Sequence, residues 1–243
     1  MITLISCMNN SYYQKIGRLF LQSVQSYLED DPRLELVVFC EDFKPSERHP
    51  RLRYLSTTLF QSKYHQLIKK YTLRQPTESK AKRHKKYLLR FIHKVYSVVY
   101  GLEHLSSSDY IVWLDSDIIL HSKLSYNWIS NILKGPYFSW YLSTGQAWGM
   151  ETGFMAFNNR HGLKTRFLEL YRSYYEQPGK YLEVPKFKDA FVFDRVINSL
   201  PLQHRCNLGG LDIPVKDLFQ KSVLKETMTH YIGHKKNNKV KKT

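Results

Sequence analysis

The run Tyr110-Ile111-Val112-Trp113-Leu114 is followed at once by Asp115-Ser116-Asp117. Five apolar or aromatic residues in succession read as a strand buried on both faces. Such a strand belongs inside an open α/β sheet, and these sheets place their ligands at the carboxyl ends of their strands. Two carboxylates at that end are costly unless something positive lies between them. A divalent cation is the simplest partner, and oxygen ligands suit Mg²⁺ or Mn²⁺. An ion so placed handles phosphate. Two acids after a strand also serve as turns or helix caps, so the motif has to be read with its surroundings.

Those surroundings are of α/β type. Ile2–Cys7 and Leu34–Cys40 are rich in β-branched and apolar residues and read as strands. Between them Ile16, Phe20, Val24 and Tyr27 recur at helical spacing, which gives a β-α-β start. The first strand runs into a polar loop, Asn9-Asn10-Ser11, so Ser6, Asn9 and Tyr12 stand where a ligand at that sheet edge would lie. The second strand also ends in acids, Glu41 and Asp42. A helix is expected from Tyr87 to Leu102, with Phe91, Val95, Val98 and Leu102 as its apolar stripe. Arg90, Lys94 and Ser97 form an opposite polar stripe that the following strand brings near the aspartates. Further on, Trp128–Leu133, Leu163–Tyr175 and Ala190–Leu200 read as helices, the last with Asp189 as its N-cap. Gly153–Phe157 and Thr229–Ile232 read as strands. Trp140 and Trp148 have the chemistry to stack on a sugar ring or to pack in a core.

With 243 residues, 42% of them hydrophobic, the chain suits one large domain over 1–233, followed by a Lys- and Asn-rich tail, 234–243, that frays. No apolar run approaches the roughly 20 residues that span a bilayer. The segment 1–7 lacks the basic and apolar regions of a signal peptide. Cys7, Cys40 and Cys206 are odd in number and scattered, which argues against a disulfide framework and for a reducing, cytoplasmic setting. They also lack metal-site spacing. The charge excess is large: 37 Lys and Arg against 21 Asp and Glu, a net +16. It favours an anionic partner. Nine basic residues and a single acid, Glu78, fall within 61–86. Together with the tail they suit peripheral docking on an anionic membrane, where each nearby Lys or Arg adds roughly 1 kcal/mol. Nucleic-acid binding rests on charge alone and is not expected, because the basic patches lack interleaved aromatics.

Near the end stands His230-Tyr231-Ile232-Gly233-His234-Lys235-Lys236, a His-x-x-Gly-x-x-Lys pattern. The β-α-β start, the strand ending in Asp-x-Asp and this late pattern together resemble the GT-A fold glycosyltransferases, with glycosyltransferase family 8 and its relatives nearest in pattern. The resemblance implies a single Rossmann-like α/β domain with a mixed central sheet flanked by helices. It implies that Asp115, Asp117 and His230 bind Mn²⁺ (or Mg²⁺), and that Gly233 and Lys236 face the donor diphosphate, with Arg90 or Lys94 adding positive charge. Ser116 would lie against the substrate. Glu151-Thr152-Gly153 looks like the start of the family's strand beside the donor sugar, and Lys188-Asp189-Ala190 like the region whose carboxylate touches sugar hydroxyls. Asp189 is therefore expected as a donor-sugar contact, while Glu151 is left open between base and sugar-orienting roles. The Pro-Trp that usually follows the final lysine is replaced by Asn237-Asn238. The activity implied is transfer of a sugar from a nucleoside diphosphate sugar, UDP-linked, to a glycan or lipid-linked acceptor, with retention. The alternative is a haloacid dehalogenase-type phosphohydrolase, in which the first aspartate is a nucleophile. That motif normally lies near the N-terminus and continues with Gly or Thr, whereas Ile118-Ile119 follows here at mid-chain.

Overall fold

β1 (Ile2–Met8) and β2 (Leu34–Cys40) are almost wholly buried and pair in parallel, Ile2 against Leu34 through Met8 against Cys40. This is a computed structural model, and it describes residues 1–60, 66–67, 79–177, 179–185, 188–211 and 213–231, with backbone alone at 79–90 and 181–182. The chain leaves β1 through a turn at Asn10–Tyr12, capped by the Asn9 side chain, widens to a π-type turn at Tyr13–Gly17, and continues as α1 (Arg18–Tyr27). β3 (Leu52–Ser56) extends the parallel set at its edge. α2 (Ser79–His104) then leads into β4 (Tyr110–Leu114).

β4 lies parallel to β1 on one side and antiparallel to β7 (Met150–Asn158) on the other. β6 (Ser139–Ser143) and β8 (Arg205–Asn207) complete a seven-stranded sheet, ordered β3-β2-β1-β4-β7-β6-β8 among the described residues. A separate two-stranded ribbon pairs β5 (Ile118–Leu120) with β9 (Met228–His230). The helices between are α3 (Tyr126–Ile132), α4 (Lys164–Glu176) and α5 (Asp189–Asn198).

Alternation along the strands separates two cores. Ile111 and Trp113 of β4 face one way, with Val95, Val98 and Leu102 of α2, Phe167 and Tyr171 of α4, and Val192 and Phe193 of α5. Val112 and Leu114 face the other way, with Phe20, Leu21 and Val24 of α1 and Ile129 of α3. Helices cover both faces, which is why β4 reads as an unbroken apolar run and β1 and β2 as nearly so, interrupted by Thr3, Ser6 and Glu35.

The structure adjusts several expected elements. α2 begins at Ser79 instead of 87, and Phe91 is only half-buried at its cavity end. Lys94 and Ser97 are themselves buried, so the polar stripe of α2 faces inward. Asp189 is the first residue of α5 instead of its cap, which is Lys188. The late strand ends at His230, and Ile232 lies outside the described residues. The three cysteines are free thiols. Among the described residues no helix is long and apolar enough to cross a membrane.

Candidate active site

The carboxyl ends of β1, β2 and β4 open into a cavity of about 300 Å³, walled by Cys7, Asn9, Tyr12, Glu41, Phe91, His93, Lys94, Trp113, Asp115, Ser116, Asp117 and Asp189 among others. Asp115 leaves β4 with its N–H still bonded to the Gly153 carbonyl of β7 at 2.9 Å. Two residues later Asp117 accepts the Tyr231 N–H at 3.0 Å, because β5 pairs with β9. That ribbon brings His230 to within 3.0 Å of Asp117 across 113 residues of chain.

Each aspartate has one oxygen held by the protein and one turned toward His230. Asp115 Oδ1 accepts from Trp113 Nε1 at 2.7 Å and Lys94 Nζ at 2.8 Å. Its Oδ2 lies 3.6 Å from His230 Nε2. Asp117 Oδ2 accepts from the Tyr12 hydroxyl at 2.8 Å, and its Oδ1 lies 3.0 Å from the same Nε2. One ligand-type atom from each of Asp115, Asp117 and His230 lies within 4.8 Å of the other two. Behind the imidazole, Nδ1 stands 3.4 Å from Glu151 Oε1, which itself accepts the Gly153 N–H at 2.6 Å. A carboxylate behind a histidine is the usual support of an imidazole that ligates through its other nitrogen. Gly153 makes room for this: a Cβ there would stand 2.6 Å from the imidazole.

The electrostatics agree. Burial works to lower the His230 pKa, but the Glu151 and Asp117 carboxylates outweigh it and push the imidazole up to about 10. Burial raises the Asp115 carboxyl; Lys94 opposes this and Asp117 adds to it. Among the described residues, four buried or half-buried carboxyl groups, Asp115, Asp117, Glu151 and Asp189, thus surround only Lys94 and His230. Two carboxylate oxygens and one imidazole nitrogen, converging where negative charge is in excess, fit a divalent ion of the Mn²⁺ or Mg²⁺ type, and the nitrogen tilts the choice toward Mn²⁺.

Lys94 differs from its expected role as a diphosphate contact. It is 8% exposed, and its ammonium reaches Asp115 Oδ1 at 2.8 Å, Asp189 Oδ2 at 2.8 Å and the Thr152 carbonyl at 2.7 Å. An ammonium has three donors, so all three are committed within the protein. It also lies 5.1 Å from the centre of the Trp113 ring. Asp189 takes a second bond from Thr152 Oγ1 at 2.8 Å. Burial raises its carboxyl, but Lys94 prevails and holds it below the ordinary range.

Other expected site residues fall differently. Asn9 lines the cavity and caps the turn after β1, its Oδ1 accepting the Tyr12 N–H at 2.8 Å. Ser116 lines the cavity and donates to the Cys7 carbonyl at 3.1 Å. Ser6 does not reach the cavity; strand alternation buries it completely. Glu151, Thr152 and Gly153 lie behind the ligand-type groups instead of on the cavity wall. The Arg90 side chain, Gly233 and Lys236 lie outside the described residues, as do the tail and most of the basic segment. Trp140 is wholly buried, and Trp148 stacks on Phe191 at 5.6 Å. Sequence reasoning missed Cys7, His93 and Trp113 as site residues. The first is the last inward residue of β1, and the second precedes Lys94 on α2. Burial and Asp42 push Glu41 up to about 7, while burial pushes His93 down to about 4.

A parallel β3-β2-β1-β4 half, an antiparallel β7-β6 half and Asp-x-Asp at their junction define the GT-A class of α/β fold. Among solved structures the chain is similar to apo WbbM, a bifunctional glycosyltransferase, at a TM-score of 0.57 and 12% identity over 96% of this chain and 46% of that one. It is similar to the galactosyltransferase LgtC in complex with donor and acceptor sugar analogues, at a TM-score of 0.56 and 14% identity over 96% and 87%. A glycosyltransferase involved in glycosylation of the major capsid of PBCV-1 matches at 0.52 and 13% over 98% of both chains. No protein-family model and no curated protein sequence matches. At such identities the likeness speaks for the fold, and the site has to speak for the chemistry.

Proposed function

We propose that this chain is a metal-dependent glycosyltransferase that moves a sugar from a nucleoside diphosphate sugar, UDP-linked, to a glycan or lipid-linked acceptor. The observation that carries this reading is the convergence of Asp115, Asp117 and His230 at the carboxyl end of the central strands, beside a cavity of about 300 Å³. LgtC, with the same fold, was solved with donor and acceptor sugar analogues, which supports a sugar nucleotide as ligand here. When bound, the divalent ion supplies Lewis-acid stabilisation of the charge that builds on the departing diphosphate.

The chain's own residues do the rest. Lys94 and Trp113 fix Asp115, Tyr12 fixes Asp117, and Glu151 orients His230, so the ligand set is preorganised. This gives Glu151 a positioning role. Asp189, held ionised by Lys94 and anchored by Thr152, suits a fixed acceptor for donor-sugar hydroxyls. Its low pKa makes it a poor general base, which supports retention, with the leaving phosphate taking the acceptor's proton. Gly233, Lys236 and Arg90 remain assigned to the diphosphate on the sequence resemblance. The dehalogenase reading needs Asp115 free to attack, yet Oδ1 is doubly bonded and Oδ2 faces His230.

The test is a screen of sugar nucleotides for Mn²⁺-dependent hydrolysis by wild type and Asp117→Asn. Hydrolysis of at least one donor that stops in EDTA and in the variant supports the reading; no binding or turnover of any donor overturns it. Cytoplasmic-face membrane docking through the basic segment is proposed on charge, and liposomes of anionic lipid at low and high salt test it.

A further inference from the structure

The same cavity carries a second group of ligand-type side chains that the chemistry above does not use. Cys7 lies on the α2-facing side of β1, Glu41 directly follows β2, His93 lies on α2, which packs against β1, and all three line the cavity. A sulfur, a carboxylate oxygen and an imidazole nitrogen from these three lie within 4.8 Å of one another, and all three residues are partly buried. Glu41 Oε2 and His93 Nε2 are 3.6 Å apart. Ligands bound to one tetrahedral ion at 2.0–2.2 Å stand about 3.4 Å apart, so this pair needs only a small adjustment. Cys7 and His93 stand on β1 and α2, and Glu41, the first residue after β2, is tied to β1 by its N–H bonded to the Met8 carbonyl at 3.1 Å. Asn9 stands beside the Glu41 carboxyl and Ser97 beside the Cys7 thiol, where outer-shell partners of a metal site belong.

We propose that Cys7, Glu41 and His93 form a second metal site, specific for thiophilic divalent ions of the Zn²⁺ class and separate from Asp115–Asp117–His230. The ligand sets differ in softness. Asp115, Asp117 and His230 offer oxygen and nitrogen, whereas the second set adds sulfur, which discriminates against Mg²⁺ and Mn²⁺. Three protein ligands leave the fourth tetrahedral position facing the cavity. On binding, the Cys7 S–H bond breaks, its proton passes to solvent and its electron pair forms the sulfur–metal bond. The absence of metal-site spacing among the cysteines is thus no obstacle: the fold, not the local sequence, assembles this set.

Co²⁺ titration of the metal-free full chain tests the proposal, because thiolate coordination gives a near-ultraviolet charge-transfer band that oxygen and nitrogen ligands do not. The expected result is a thiolate band saturating at one Co²⁺ per chain, bleached by added Zn²⁺. It should be absent in Cys7→Ser, weakened in His93→Gln and retained in Asp115→Asn/Asp117→Asn. The double variant separates this site from the proposed donor chemistry, whose failure would leave the band untouched. No band at saturating Co²⁺ overturns the proposal. So does a band that survives Cys7→Ser, which would report Cys40 or Cys206, or one lost with the two aspartates. Thermal melting confirms that each variant scored is folded.

Discussion

Replacing Lys94 with Met should damage the protein's stability far more than an ordinary lysine substitution. Lys94 is 8% exposed and is the cation that Asp115 and Asp189 share, at 2.8 Å from each. Methionine keeps most of the apolar stem but removes the charge that both carboxylates share, leaving Asp115 with the more distant His230 imidazole at 3.6 Å. Asp115 then keeps Trp113 Nε1, and Asp189 keeps Thr152 Oγ1. Removing one partner from a buried ion pair costs about 3–5 kcal/mol. For a chain of this size that is a fall in Tm of roughly 6–20 °C. The assay is thermal and urea unfolding in EDTA at neutral pH, with Lys94→Met/Asp189→Asn as the second arm. Neutralising Asp189 should return about 0.5–3 kcal/mol, the usual range of coupling between groups in one network. The pH dependence has a definite sign. Asp189 is held below its ordinary value in the folded protein, so its contribution is present above the unfolded pKa of about 3.9 and is lost as pH falls through the folded value. The gap between wild type and Lys94→Met should therefore narrow in acid. A Tm within about 2 °C of wild type, equivalent to less than about 1 kcal/mol, or a double variant no better than the single one, would refute the view of Lys94 as a buried bridge.

Mn²⁺ should raise the Tm of wild type, with stabilisation near about 2.7 kcal/mol at a hundred times its Kd, and Asp117→Asn should abolish the shift in differential scanning fluorimetry. Gly153→Ala should lower Mn²⁺ affinity by roughly 10–100-fold, because its Cβ would meet the His230 imidazole at 2.6 Å; calorimetric titration reads this, and unchanged affinity would mean the ring has room to move. On the surface, Asp31 is held at about 2 by the Arg33 guanidinium and by the Arg33 N–H. Its stabilisation should be complete above its ordinary pKa and disappear as pH falls through the folded value, and Arg33→Ala should raise the Asp31 titration by NMR only part of the way to an ordinary carboxyl, because the N–H of residue 33 still donates to it.

What could be read in advance follows from burial. β2 and β4 have the expected boundaries, Leu34–Cys40 and Tyr110–Leu114, because strands covered on both faces are written as near-continuous apolar runs, broken here only by Glu35. β3 was invisible: as an edge strand it is only partly buried, with Arg53 exposed and no clean alternation. β5 and β8 have three residues each, too few for any periodicity to show, whereas β9, Met228–His230, overlaps the strand expected at Thr229–Ile232. β6 reads Ser-Trp-Tyr-Leu-Ser, and of the two roles open to Trp140, sugar stacking and core packing, the structure shows the second, against Tyr110 and Tyr137. Lys94 was recognisable as a cation near the aspartates, but a sequence does not record where an ammonium's three donors point.

The segment Glu151-Thr152-Gly153 shows what else lay beyond sequence reasoning. A sugar-facing strand was expected there, yet β7 runs antiparallel beside β4, so these residues lie directly behind Asp115. The Gly153 carbonyl anchors the Asp115 N–H, and its missing side chain admits the His230 ring. The Thr152 carbonyl holds Lys94 and its hydroxyl holds Asp189. The Glu151 carboxylate stands behind His230. Three successive residues thus position both aspartate-side anchors and the histidine, and they do so from the strand whose pairing with β4 fixes their height at the sheet edge. Polar side chains at 151 and 152 flanking a glycine do look like a binding strand in sequence. Their burial, at 7% and 5% exposure, places them behind Asp115, Asp189 and His230 instead of on the cavity wall.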